Sequence, residues 1–269
     1  MANLRFIVSL ITKENDYQVE QAASAQAAAQ KLGVDVQILY ADNDAITQST
    51  QLLKAIQSDA ATRPQAIIFE PAGGTAFPQV AQAAVSAKIA WAALNREADY
   101  IPKLRRSTQV PVFSISSDHR EIGRIQGRQF AALLPKGGSV LYIQGPSETS
   151  AARDRTAGMQ MTVPHNVQII SLRGRWTEES AHRAVESWLR LNTTNKVQID
   201  VVGAQNDLMA IGARKDPILR KGKSGCGFPL PGSTGWQRPG RVGCAPARWR
   251  RPSWFRRTLV KRSACWWRR

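Results

Sequence analysis

Amide, guanidinium and aromatic side chains recur in this sequence directly after short apolar runs. Asn supplies a donor and an acceptor together, Arg supplies a rigid fork of donors, and an aromatic face covers the C–H side of a pyranose ring. Taken singly, each such residue is more often a capping, solvated or core group, so only their joint placement predicts a site for a neutral polyol. The candidate ligand-binding residues are Asn15, Tyr17, Asn95, Arg96, Arg155, Trp176 and Asn206.

Residue types that support catalysis or metal binding lack their usual spacing. His119, His165 and His182 have no sequence neighbours at metal-ligand or triad spacing, and neither GxSxG nor GxGxxG occurs. Gly222-Lys-Ser224 is similar to the end of a phosphate-binding loop, but Pro217 stands where that motif begins with Gly. The three cysteines form no CxxC pair. We therefore expect no enzyme, no metal and no cofactor.

The elements that position these residues alternate along the chain. Helical stretches lie between most of the predicted strands, with Gly33 as a C-cap and Thr177 as an N-cap. This alternation predicts an α/β fold with parallel sheets, whose ligands bind outside the carboxyl ends of the strands. The alternation of strands and helices is interrupted once, because no helical repeat lies between residues 94 and 110. Two lobes are predicted, residues 1–115 and 116–216. The predicted strands are residues 4–11, 34–40, 66–69, 89–94, 110–115, 139–143, 167–172 and 199–202.

Residues 3–215 resemble the type I periplasmic sugar-binding proteins, the superfamily of ribose-binding protein and the Lac repressor core. The resemblance is carried by Thr149-Ser-Ala-Ala-Arg-Asp-Arg155, by Ala204-Gln-Asn-Asp-Leu-Met-Ala210 and by Ser117-Asp118. It implies a two-lobe periplasmic-binding-protein-like I fold in which a sugar is held between the lobes. In the matching positions, Arg155 and Asn206 correspond to the family's sugar-binding Arg and Asn.

The other site assignments follow from the same resemblance. Asn95-Arg96 stands where many members have Asp-Arg, so an amide replaces the usual carboxylate. Asn15 and Tyr17 match an Asn and an aromatic residue of the first loop, where Gln18 replaces a second aromatic residue. Trp176 stands where ribose binders place a stacking Phe.

The resemblance also implies a biological role. It predicts the substrate-binding component of an ABC-type carbohydrate uptake system, with a monosaccharide or similar polyol as ligand and a permease as partner. A sugar-sensing domain of the same fold, passing closure to a sensor kinase, is the alternative. The family is periplasmic, whereas residues 6–11 are too short for a signal peptide and predict a first strand, so the chain as written is cytoplasmic. No apolar run is long enough to cross a bilayer.

The last 53 residues, 217–269, differ chemically from the body. They contain no Asp or Glu, 14 of the 37 basic residues and five of the eight tryptophans. Family members continue here with a strand that ends in Gly-x-Asp-Gly, whose Asp binds sugar, and that segment is not visible. In a shifted reading frame the codons of residues 228–236 can spell PFTGVDGL, so we interpret the tail as a frameshifted, disordered replacement of the family's C-terminal part.

Two expectations follow from the tail. Without the carboxylate of the missing segment, sugar hydroxyls lose a partner, and binding by this chain should be weak or absent. Basic residues interleaved with tryptophan also predict non-specific attraction to nucleic acid, although no specific nucleic-acid partner is expected.

Overall fold

The computed structural model describes residues 4–74, 77–96, 98–191 and 198–216, together with the backbone of residues 265–268. The chain divides into two compact units. One unit comprises Met1–Ser117 with Glu148–Ala151, and the other comprises Asp118–Ser147 with Ala152–Arg269. The boundary expected after residue 115 lies two residues before this division.

The first unit is a five-stranded parallel sheet with helices on both faces. Its strands lie in the order β2-β1-β3-β4-β5. Ile67 and Trp91 are paired in register, and their face packs with Leu52 of the second helix. Val8 lies on the opposite face and packs with Ala22 of the first helix. The elements are β1 (Arg5–Leu10), α1 (Asp16–Leu32), β2 (Asp35–Tyr40), α2 (Ala45–Ile56), β3 (Ala66–Phe69), α3 (Pro78–Ser86), β4 (Ala90–Leu94), α4 (Ile101–Arg106) and β5 (Val112–Ile115).

The second unit repeats this plan on a smaller sheet, with strand order β7-β6-β8-β9. Adjacent residues of β6 point to opposite faces, as the two-residue period of a strand requires. Tyr142 packs with Phe130 and Met159 on one face, and Ile143 packs with Met209 on the other. The elements are α5 (His119–Leu133), β6 (Gly138–Gln144), α6 (Ser150–Gln160), β7 (Val167–Arg173), α7 (Glu178–Leu189), β8 (Val201–Ala204), α8 (Asp207–Arg214) and β9 (Cys265–Arg268).

The predicted helix ends are confirmed. Gly33 ends α1 in the left-handed conformation with φ of 65°, which glycine adopts without a Cβ penalty. Thr177 caps α7, since its side chain accepts a hydrogen bond from the N–H of Ser180 at 3.2 Å. The expected alternation of strands and helices is confirmed as well, and each unit is a sheet flanked by helices.

One expectation needs correction, and a short part of the tail is described. Residues 101–106 form the short helix α4 where no helix was predicted, because six residues are too few to show a helical repeat. Within the tail expected to be disordered, Cys265–Arg268 form β9, which pairs antiparallel with β8 in an otherwise parallel sheet. The expectation for residues 217–264 lies outside the described residues. No helix in the described part of the chain is both long and apolar enough to span a bilayer.

Candidate functional site

The predicted ligand residues form two groups, and all of them lie in the loops and helices that follow strands. Asn15 and Tyr17 follow β1, and Asn95 and Arg96 follow β4, all in the first unit. Arg155 lies on α6, which follows β6. Trp176 follows β7 and Asn206 follows β8, so these three residues belong to the second unit.

The group in the first unit is organised by Glu70, a residue that sequence reasoning missed. Glu70 directly follows β3 and is 2% exposed. Its carboxylate accepts hydrogen bonds from Asn95 Nδ2 at 3.1 Å and Gln18 Nε2 at 2.8 Å. Arg96 Nη2 lies 3.6 Å from the same carboxylate, and this guanidinium is also buried. A buried anion therefore ties the predicted Asn95-Arg96 pair to α1.

A second buried amide holds the loop that carries Glu70. Gln48 on α2 donates from Nε2 to the carbonyl oxygen of Glu70 and to the hydroxyl of Ser9, each at 2.9 Å. Its Oε1 accepts from the N–H of Ala72 at 2.7 Å. These bonds fasten the loop after β3 to β1 and α2.

Asn15 and Tyr17 lie at the start of α1. The Oδ1 of Asn15 accepts from the N–H of Tyr17 at 2.9 Å, so Asn15 caps this helix. The side chain of Tyr17 is 44% exposed, and its hydroxyl accepts from Gln21 Nε2 at 3.3 Å. Gln18, which stands in place of a second aromatic residue, is buried and donates to Glu70. The first loop therefore joins the same polar network as Asn95 and Arg96.

The structure brings Arg155, Trp176 and Asn206 together in the second unit. The guanidinium carbon of Arg155 lies 5.5 Å from the centroid of the Trp176 ring, a cation–π geometry. Asn206 donates from Nδ2 to the carbonyl oxygen of Trp176 at 2.9 Å, and its Oδ1 accepts from Met209 N–H at 2.9 Å. Arg155 donates to the carbonyl oxygen of Gln205, the residue before Asn206.

The indole of Trp176 is held by its backbone and by a glycine. Trp176 has φ of 65°, a left-handed conformation that is unusual for an aromatic residue. A Cβ at Gly145 would lie 2.2 Å from Cζ2 of the indole, so the ring packs directly on the backbone of Gly145. The Nε1 of Trp176 is buried and has no acceptor within the described residues.

Gln205 is the second organising residue that sequence reasoning missed. Its Oε1 accepts from the N–H of Gly145 at 2.9 Å. Its Nε2 lies within hydrogen-bonding distance of the hydroxyl of Tyr142, at 3.2 Å, and of the hydroxyl of Thr156, at 2.9 Å. Burial raises the pKa of the Tyr142 hydroxyl, so the tyrosine keeps its proton and donates it to Gln126 Oε1 at 2.7 Å. These hydrogen bonds connect α5, β6, α6 and the end of β8. Arg155 lies on α6, and Asn206 directly follows Gln205.

A sequence signal exists for both missed residues. Each is a polar residue that directly follows a buried apolar strand, Glu70 after β3 and Gln205 after β8. The sequence shows that position but does not show whether the side chain turns inward. No cluster of His, Cys, Asp or Glu that could hold a metal occurs among the residues that the structure describes.

The family comparison matches most of the chain. The family described as Periplasmic binding protein domain matches residues 6–216. The D-apiose import binding protein of Paraburkholderia graminis is 27% identical over 212 residues, which are 77% of this chain and 63% of that protein. The ribose import binding protein RbsB of Salmonella typhimurium is 28% identical over 215 residues, which are 79% of this chain and 67% of that protein. The chain thus spans about two thirds of the length of these relatives.

A solved structure agrees with the fold. A protein of Mycobacterium smegmatis, solved in complex with beta-D-fucofuranose, has a TM-score of 0.69 and 26% identity, and the match covers 82% of this chain and 70% of that one. The first two relatives are named as import binding proteins, and the third was solved with a bound furanose.

Proposed function

This chain belongs to the Periplasmic binding protein domain family, and we propose that it binds a monosaccharide or a similar polyol as the substrate-binding component of an ABC-type uptake system. The proposed ligand residues are the seven predicted from the sequence. The family's location supports a place in the periplasm or cell envelope.

The observation that carries this proposal is that two of the predicted ligand residues hold a buried donor without an acceptor. Arg96 Nε in the first unit and Trp176 Nε1 in the second are both buried, and neither has a hydrogen-bond partner within the described residues. A buried donor without an acceptor costs about 1–3 kcal/mol. Both donors belong to predicted ligand residues at strand ends, and the hydroxyl oxygens of a sugar are the acceptors that they lack.

The chemistry of the two groups suits a neutral ligand. In the first unit, the charge of Arg96 is paired with Glu70. In the second unit, Arg155 lies beside an indole, which offers an apolar face next to a hydrogen-bond donor. Paired charge, amides and an aromatic ring recognise hydroxyl groups and C–H faces better than they recognise a charged group.

Calorimetry and ligand-observed NMR with D-ribose, L-arabinose, D-galactose and myo-inositol, called here the sugar panel, test the proposal. We expect saturation-transfer signals from at least one sugar, lost in Arg155→Ala and kept in the surface variant Arg183→Ala, whose side chain is 72% exposed. Because residues 217–269 contain no acid, we expect dissociation constants weaker than micromolar. Micromolar or tighter binding would contradict this expectation, and signals of equal strength from the parent chain and Arg155→Ala would remove the proposed site.

Sensing remains the alternative to uptake. A permease gene and an ATPase gene beside the coding sequence would support uptake, whereas a histidine kinase gene would support a sensor domain. An in-frame leader upstream of the first codon would support export.

The basic tail favours a second, non-specific activity. With 14 Lys and Arg and no acid in residues 217–269, the chain should bind duplex DNA of any sequence. We expect the binding constant to fall steeply and linearly on a log–log plot against salt. Fluorescence anisotropy with two unrelated duplexes measures this, and a sequence preference that persists at high salt would instead indicate an evolved nucleic-acid site.

A further inference from the structure

Within the described part of the first unit, the buried carboxylate of Glu70 has three side-chain partners, two of which are predicted ligand residues. It lies at the end of β3, the central strand of that sheet. Gln18, Asn95 and Arg96 all direct nitrogen atoms toward its carboxylate. We infer that Glu70 is a positioning residue that sets the hydrogen-bond polarity of the sugar site through Asn95 and Arg96. This inference rests on the proposed function.

A carboxylate and an amide differ in the hydrogen bonds that they can form. An ionised carboxylate only accepts hydrogen bonds, whereas the side chain of Asn has a donor end and an acceptor end. Facing Glu70, Asn95 must therefore turn Nδ2 toward the carboxylate and its Oδ1 away from it. A sugar hydroxyl that reaches this amide would therefore meet its acceptor end, although the residue type alone leaves both orientations open.

The backbone of Asn95 fixes the direction of its side chain. Asn95 has φ of 55°, a left-handed conformation that Asn tolerates better than most residues. Its N–H donates to the carbonyl oxygen of Ile115 at 2.8 Å, which fastens the end of β4 to β5. The acceptor direction is thus determined by a fixed backbone and by a fixed charge.

Nitrogen atoms of Gln18 and Arg96 face the same carboxylate. The Oε1 of Gln18 accepts from the N–H of Ile11 at 2.8 Å, so its Nε2 is the end that faces Glu70. Arg96 donates from Nη1 to the carbonyl oxygen of Asn95 at 3.0 Å and places Nη2 by Glu70. One buried carboxylate is therefore the shared partner of three side chains, and two of these, Asn95 and Arg96, are predicted to touch the ligand.

A charge-relocation cycle tests the inference. The variants are Glu70→Gln, Asn95→Asp and the double variant that carries both changes. Glu70→Gln removes the anion beside Arg96 and lets Asn95 rotate, so the affinity for the sugar bound by the parent chain should fall by about tenfold or more. Asn95→Asp places two carboxylates side by side and should weaken binding to a similar extent.

In the double variant, the new amide at position 70 can donate to the new carboxylate at position 95, and Arg96 can pair with that carboxylate. The affinity of the double variant should therefore return to within about threefold of the parent chain.

The surface variant Glu179→Gln is the matched control, since this acid is 71% exposed. Circular dichroism confirms folding, and the double variant keeps the test decisive if Glu70→Gln does not fold. A folded Glu70→Gln variant with unchanged affinity would overturn the inference. So would a folded double variant that is as weak as the single variants.

A readout without sugar separates this inference from the proposed function. In the parent chain, the side-chain amide protons of Asn95 and Gln18 should exchange slowly in ¹H–¹⁵N spectra, because both amides donate to Glu70. Both should lose protection in Glu70→Gln. If no sugar binds but this loss is seen, the proposed function fails and the positioning role of Glu70 stands. If Asn95 is unprotected in the parent chain, the positioning role fails whatever the sugar result.

Discussion

Replacing Gly145 by alanine should displace the indole of Trp176. The added Cβ would lie 2.2 Å from Cζ2 and 2.4 Å from both Cε2 and Cη2 of the ring. Ordinary carbon–carbon contacts are about 3.5–4.0 Å, so the ring must move by more than about 1 Å. Overpacking of this kind costs about 1–3 kcal/mol, and we expect the free energy of unfolding to fall by that amount. Displacement also moves the ring away from Arg155, which lies 5.5 Å from its centroid.

A double-mutant cycle with Trp176→Phe isolates the contact. The three ring atoms that clash with the added Cβ belong to the outer, six-membered ring of the indole. The side chain of phenylalanine is shorter and places no atoms so far from the backbone. Gly145→Ala should therefore cost about 1–2 kcal/mol less in the Trp176→Phe background. Urea unfolding followed by far-UV circular dichroism measures the free energies, and near-UV circular dichroism reports the indole. An equal cost in both backgrounds, or an unchanged near-UV spectrum in Gly145→Ala, would refute the reasoning.

Three further predictions concern Asn206, Tyr100 and the tail. Asn206→Ala removes the cap of α8 and a hydrogen bond to the Trp176 carbonyl, so the free energy of unfolding measured in urea should fall by about 1–2 kcal/mol. Asn206→Asp keeps the capping oxygen, so its free energy of unfolding should fall by less, and equal losses in the two variants would contradict this. Burial raises the pKa of Tyr100 to about 12, so between about pH 10 and 12 the unfolded state ionises first and the free energy of unfolding should fall by about 1.4 kcal/mol per pH unit from this group. Tyr100→Phe should make that fall less steep, and an unchanged slope would contradict the assignment. Resequencing the gene around the codons for residues 215–236 should reveal a shifted frame that spells Gly-Val-Asp-Gly, and its absence from both alternate frames would remove the frameshift interpretation.

The strands and most of the helices could be predicted from the sequence, because their signals are local. Apolar β-branched runs mark the strands, and Gly33 and Thr177 mark helix ends through their own backbone preferences. The helix α4 could not be predicted, since six residues give less than two turns of pattern. The strand β9 lies in a segment whose composition shows no period, and its pairing with β8 is a non-local contact.

The seven predicted ligand residues could be located because they follow strands, but their surroundings could not be read from the sequence. Asn206 and Asn15 both cap helices through the same oxygen that could contact a ligand. Trp176 adopts a positive φ that its residue type disfavours, and Gly145 supplies the space for its ring. The contact between Gly145 and Trp176 joins residues about 30 positions apart, so a local pattern carries no trace of it.

Glu70 and Gln205 point to a rule that applies to both units. Each is a buried polar residue directly after a strand; the carboxylate of Glu70 accepts a hydrogen bond from Asn95, and the backbone carbonyl of Gln205 accepts one from Arg155. The two differ in charge, and their partners differ accordingly. Glu70 lies beside the cation of Arg96, whereas Gln205 accepts a hydrogen bond from a backbone N–H and faces neutral hydroxyl groups. A charged anchor imposes one direction on every amide beside it, whereas an amide anchor can serve donors and acceptors at once. Substitutions at position 70 should therefore change which sugars bind, and substitutions at position 205 should mainly change how stably the second unit holds its site.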